Sequence, residues 1–306
     1  MVLVINQVIT GLMLGIMYAL IASGFSLLFG VLNVVQFAHA DLCFLGAFVS
    51  MAVMTFLSKI EFFPTWLVIF LTIIFAVIIT GLIGIIVEKV CVKPFRKSPG
   101  LIILLSTVAV GFIIREGIKI FYPSGASPKL FPLSFPQWAF SMGGVTIRFS
   151  NIMIIIIAGL IYFLLSLFIN KTKIGLQIRA TSQNVEAAQV FGIDLDKIFM
   201  ITFFLASAIG AVAGILNGIY YNIVKFDMGL MGGVIGFSAA VMGGLGNVYG
   251  AIIGGLILGI VESFTMASSP EVHPIKKYLH LSWLYFFCFL NPRGFLVKRL
   301  LKKSNY

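Results

Sequence analysis

Charge is scarce in this chain of 306 residues: 21 Lys and Arg and 10 Asp and Glu, together ten per cent. A soluble globular domain carries roughly 25% charged residues, so a fold built for water is excluded. Cysteine is nearly absent. Cys43, Cys91 and Cys288 are scattered in or beside apolar stretches, which excludes a disulfide framework and a thiolate cluster. The three histidines, His39, His273 and His280, form no H-E-x-x-H. Nor is there a G-x-x-x-x-G-K-[ST] phosphate loop or a G-x-S-x-G nucleophile turn. No catalytic residue, metal ligand or cofactor is therefore expected, and any ATP-driven step belongs to another polypeptide. A basic stretch followed by a small-residue cleavage site is missing from the N-terminus, so no cleaved signal peptide is expected.

What the chain has is hydrocarbon. Sixty per cent of it is hydrophobic, and the mean hydropathy is +1.11. Continuous apolar runs at 4–31, 42–57, 66–87, 100–121, 149–169, 199–222, 229–259 and 278–290 predict an all-α polytopic membrane protein. Helices follow rather than a barrel because the runs do not alternate. We expect eight or nine membrane helices in one transmembrane domain over 1–306. The runs at 42–57 and 229–243 are short enough to cross incompletely. The net charge of +11 is not a nucleic-acid signature. Thirteen of the 21 basic residues cluster at 89–97, 171–197 and 293–303. Excess Lys and Arg mark the cytosolic loops of a membrane protein. That pattern puts 88–99, the 170–198 connection and the tail 291–306 in the cytosol. It leaves 122–148, with its four prolines, as an extracytoplasmic loop.

The 170–198 connection is the longest polar stretch between two apolar runs. Within it, Ser182 is placed to cap a short helix and Gly192 to end it. Ala187, Val190 and Phe191 fall on one face of that helix. Two readings stand: a solvated connector, or a helix that lies in a groove on a soluble partner.

Other polar residues interrupt the apolar pattern. Asn33, Gln36, His39 and Asp41 break the first hairpin, either as a wet turn or as functional groups at membrane depth. Arg115, Glu116 and Lys119 read as an interfacial cluster near the outer surface, and Glu88 and Glu262 as interfacial ends. Asp227 is placed to cap a helix starting near Gly229. Gly210, Gly214 and Gly218 repeat every fourth residue, a face for close helix packing. The run Gly243, Gly244, Leu245, Gly246, Asn247 predicts a break, tolerated at membrane depth only where it is enclosed or lines a water-filled cavity.

Several strings, in order, resemble the permease subunits of branched-chain amino acid ABC importers. They are Gly11 to Leu20 with Leu28 to Val31, Gln36 to Asp41, Glu88 with Pro94, Phe95 and Arg96, and Ser106 and Thr107 with Gly111. Gly175 with Arg179 leads into Glu186, Ala187, Ala188 and Gly192, which is similar to the EAA loop of such permeases. Asp227 to Gly229, Ala239 to Gly246 and Asn291 to Gly294 complete the series. Gln36 and Ala40 depart from the family's usual N-F-A-H-G-[ED]. The His-containing hairpin resembles the H-type half of the permease pair.

The resemblance implies a second related permease, two ABC ATPase subunits and an extracytoplasmic solute-binding protein as partners, in the cytoplasmic (inner) membrane of a prokaryote. It implies coupling to the ATPase through Glu186, Ala187, Ala188, Val190, Phe191 and Gly192. Candidate substrate-pathway residues are Asn33, His39, Asp41, Gly243, Gly244 and Gly246. Other classes remain open: the same machine for urea, short amides or other amino acids, an ion-coupled secondary transporter, or a membrane enzyme.

Overall fold

A computed structural model describes residues 2–59, 64–132, 138–142 and 145–268. The last apolar run at 278–290 and the basic tail 291–306 lie outside the described residues, as does the Asn291 to Gly294 string. Ten helices occupy the described chain: α1 Val2–Leu32, α2 Ala38–Leu57, α3 Thr65–Val87, α4 Gly100–Phe121, α5 Phe149–Lys171, α6 Lys173–Gln183, α7 Val185–Val190, α8 Leu195–Tyr221, α9 Met228–Gly243 and α10 Val248–Ser268. Seven are long and apolar enough to cross a membrane. At 16 residues, α9 is about 24 Å long, short of the ~30 Å hydrocarbon layer. Four short strands, β1 Lys129–Leu130, β2 Ala139–Met142, β3 Val145–Arg148 and β4 Ile223–Val224, pair antiparallel as β1 with β4 and β2 with β3.

These features define two ends. The basic end holds α6, α7 and the α3–α4 turn. The hairpin end holds the strands, and α2, α4 and α8 point towards it.

A helix that is apolar all round belongs inside a bundle, and α1 behaves so: every residue from Met13 to Leu28 is buried. The antiparallel helix α10 packs on it along a glycine seam, where Gly11 meets Ile260, Gly15 meets Leu256 and Gly255 meets Ala19. A Cβ at any of these would press on backbone atoms of the other helix. Gly210 and Gly214 of α8 receive Cys43 of α2, and Gly218 receives Phe131. At the periphery, α3 and α5 expose Phe70, Ile86 and Phe163. Between them an apolar groove of about 760 Å³, floored by Leu205, Ile209 and Val212 of α8, is a fit surface for acyl chains.

Two helices start inside the bundle. After α1 the chain reverses at Asn33, whose φ is 53°. It climbs back from the basic end, and the Phe37 backbone N–H donates to Thr107 Oγ1 at 3.4 Å. Thr107 is seven residues, about 10 Å, into α4. So α2 begins well below the basic surface. From the other side, the chain leaves β4 and descends before α9 begins beside Asp41. The expected break at Gly243 to Asn247 is the α9–α10 turn, with positive φ at Gly244 and Gly246. It sits at the basic end against Gly30, rather than at mid-depth.

Candidate functional site

The connection between α5 and α8 is built as three capped helices in succession. Thr172 Oγ1 accepts from the Gly175 N–H at 2.9 Å and starts α6. Asn184 Oδ1 accepts from the Ala187 N–H at 2.9 Å and starts α7. Asp194 Oδ1 accepts from the Lys197 N–H at 3.2 Å and starts α8. The cap of α7 is thus Asn184, not Ser182 as the sequence suggested. Ser182 lies inside α6 and its hydroxyl donates to the Arg179 carbonyl at 2.8 Å. Asn and Ser are equivalent caps, and Asn184 stands directly before a turn containing Glu186, which was the available signal.

Gly192 ends α7 with φ 77°, a conformation that disfavours any residue with a Cβ. Its N–H donates to Gln189 at 3.0 Å and the Ile193 N–H to Ala188 at 3.1 Å. Ala188 turns inward at 2% exposure, while Val190 and Phe191 are each 85% exposed. Glu186 is exposed and Ala187 half-buried. A helix of six residues gains little stability on its own. Its caps and Ala188 hold it so that two large apolar side chains stand in solvent.

Beside α7 lies a groove of about 630 Å³, lined among others by Val31, Arg96, Lys97, Val185 and Gln189. One wall is a clasp that sequence reading did not find. The helix α3 continues as a π turn at Glu88–Val92 and a 3-10 turn at Lys93–Phe95. Pro94, which lacks an N–H, cannot continue a regular ladder. This folds Arg96 back onto Glu88 and across to Asp196 in the first turn of α8. Its guanidinium also lies 4.1 Å from the Phe199 ring centre. Lys93 joins Asp196 at 2.6 Å. Glu88, at the end of α3, is fully buried. No local pattern announces a pairing across 100 residues.

At mid-depth, His39 and Asp41 are neither wet nor equivalent. His39 is fully buried in the first turn of α2, in the space left by Gly24 and Gly210. Its Nε2 lies 3.3 Å from the Ile21 carbonyl, and its ring meets Phe25 edge-on at 5.0 Å. That is a packed position. Asp41, 5% exposed, pairs with Arg115 at 3.0 Å. Gly111 of α4 and Gly229 of α9 flank the carboxylate, and a Cβ on either would overlap it. Arg115 also lies 4.5 Å from the Phe112 ring centre. Gln36, just before α2, is buried, and both polar atoms of its side chain lack a partner among the described residues. Asp227 occupies the cap position of α9 but makes no side-chain cap bond. Asn33 and the Gly243, Gly244, Gly246 turn lie at the basic end, apart from His39 and Asp41.

Residues 7–287 match the model of a family described as the permease component of the branched-chain amino acid transport system. The chain is 31% identical to the high-affinity branched-chain amino acid transport system permease protein BraD of Pseudomonas aeruginosa, over 85% of each chain. It is 32% identical to LivH, the protein of that same description in Escherichia coli, over 86% of each. It is also 26% identical to the probable branched-chain amino acid transport permease protein LivM of Methanocaldococcus jannaschii, over 48% of this chain and 42% of that one. No solved structure matches the chain. A helical bundle with seven helices long and apolar enough to cross a membrane among the described residues, a capped short helix at its basic end and a match over nearly its whole length places this chain in the branched-chain amino acid permease family.

Proposed function

We propose that this chain is one of two related permeases in an ATP-driven importer of branched-chain amino acids. The observation that carries this is α7, whose Val190 and Phe191 stand exposed between the Asn184 cap and Gly192. Short exposed apolar steps on a fixed helix suit a groove on a partner. Two ABC ATPases take that role, contacted by Glu186, Ala187, Val190 and Phe191, with Ala188 and Gly192 holding the geometry. Hydrolysis is theirs; the permease performs no covalent chemistry. Likeness to both LivH and LivM relatives supports a pair of related permeases. An extracytoplasmic binding protein delivers cargo at the hairpin end.

The basic end faces the cytosol of a prokaryote, across its cytoplasmic membrane, because Lys and Arg gather there. Closure of the ATPases moves α7. Asp194 and Asp196 pass the movement to α8, and the Arg96 clasp passes it to α3 and α4. The pathway then alternates between two states of different cargo affinity. Asp41 is the candidate for cargo contact and His39 holds its helix in place. Asn33, Gly243, Gly244 and Gly246 form the inner mouth.

The test is a tagged pull-down in mild detergent, scored for co-purifying ATPase, on the parent chain and on Gly192→Asp. The left-handed position raises the energy of Asp by about 1–2 kcal/mol, and open space surrounds Gly192. The variant therefore folds, and loses both ATPase and leucine uptake. Unlabelled Leu, Ile and Val compete for uptake and urea does not. Undiminished uptake by Gly192→Asp, or a complex that never contains an ATPase, refutes the proposal.

A further inference from the structure

Asp227, Lys225 and Leu230 are exposed where the chain enters α9. Their depth follows from Gly229, which touches Asp41, which in turn touches Gly111. Gly111 is eleven residues from the start of α4, about 16 Å along a helix of about 33 Å. The first turn of α9 thus stands near the middle of the bundle, with irregular backbone just above it. Beside it runs the α4 stripe of Arg115, Glu116 and Lys119. Glu116 and Lys119 pair at 3.1 Å with side chains 53% and 42% exposed, and Lys119 lies 5.7 Å from the Phe226 ring centre. Hydrocarbon does not tolerate an open helix start or the exposed Asp227 carboxylate at this depth. This face cannot meet lipid.

We propose that the face formed by the first turn of α9 and the charged stripe of α4 meets the second, related permease across the polar part of the translocation path. The proposal deepens the paired-permease reading and rests on it. Charge favours this occupant. Two exposed cations (Lys119, Lys225) and two exposed anions (Glu116, Asp227) stand above the largely buried Asp41–Arg115 pair, so the wall is of mixed sign and can meet a similar wall on a related chain. The same mixture gives a zwitterionic cargo groups of both signs. Leu101, Leu105 and Phe112 continue the exposed side of α4 towards the basic end without charge. The polar stretch is therefore confined to the half of the path nearer the hairpin end.

The experiment compares two sites of similar depth and exposure. Leu230 is 60% exposed on the α9 side. Leu160 is 55% exposed in the acyl-chain groove, eleven residues and about 16 Å into α5. Leu230→Cys and Leu160→Cys are made in the full chain, co-expressed with its partners, with the parent chain as thiol background. A membrane-impermeant cationic thiosulfonate is added from the hairpin side. The expected result is labelling of Leu230→Cys at least tenfold faster than Leu160→Cys. A benzophenone maleimide on Leu230→Cys should also cross-link to the second permease. Equal, background-level labelling in a complex that assembles and transports overturns this inference alone. A purified complex without a second permease overturns both this inference and the paired reading. Tenfold faster labelling without any cross-link to the second permease overturns the assignment of the partner.

Discussion

Replacing Arg96 by Gln should be among the most destabilising single changes at the basic end. Arg96 is the partner that Glu88 has among the described residues, and Glu88 is fully buried with its second oxygen unbonded. Removing one member of a buried ion pair costs about 3–5 kcal/mol, because the other charge is left without compensation. Loss of the contact with Phe199 adds about 0.5–1 kcal/mol. The pair with Asp196, half exposed, adds little. The sum is about 3.5–6 kcal/mol, a large share of the roughly 5–15 kcal/mol that holds a typical domain. Lys93→Gln is the internal control. Its ion pair has side chains 51% and 46% exposed, so its loss costs about 0.2–1 kcal/mol. SDS-titrated unfolding of the purified permease, followed by circular dichroism, measures both. The double variant Glu88→Gln, Arg96→Gln removes the stranded carboxylate and should recover at least half the loss. If Arg96→Gln falls within 1 kcal/mol of Lys93→Gln, or the double variant recovers nothing, the clasp is not the structural element described above.

Three further outcomes are expected. Asn184→Ala removes the cap of α7 and costs about 1 kcal/mol locally. Faster backbone exchange at 185–190, with global unfolding unchanged, checks this, and weaker ATPase co-purification should accompany it. Phe191→Ser changes a side chain that is 85% exposed, so stability holds within about 0.5 kcal/mol while ATPase binding falls, as measured by pull-down. His39→Ala empties a packed site between Gly24 and Gly210 and should cost about 2–4 kcal/mol by its cavity and lost contacts. Destabilisation by SDS titration, rather than selective loss of uptake in a stable protein, is the expected signature.

The membrane class and the position of the short helix were legible because each rests on local pattern. Long apolar runs report hydrocarbon, and polar residues with Gly192 between two such runs report a capped helix in water. Depth was not legible. The break around Asn33 to Asp41 read equally as a wet turn or as groups at membrane depth, and only the contacts of Phe37 with Thr107 and of Asp41 with Gly111 place the start of α2 inside. The Gly243 to Asn247 break was visible, but its level in the membrane was not, because a glycine run signals a bend and carries no coordinate along the normal. The burial of Glu88 was not legible for a related reason. Its partner Arg96 and Arg96's second partner Asp196 come together through a π turn and a contact across two helices, and neither leaves a spacing rule in the sequence.

The burial of α1 bears on how the chain is made. It leaves the ribosome well before α10, which encloses it along the glycine seam and begins at Val248. At roughly 5–20 residues per second, α1 waits about 10–45 seconds in the bilayer for the helix that will cover it. Through that interval it must be a comfortable guest of the lipid. It carries no charged residue anywhere along its length, and its seam glycines, Gly11 and Gly15, stay bare until late in synthesis. Chains cut short before α10 therefore keep a bare seam open to the bilayer.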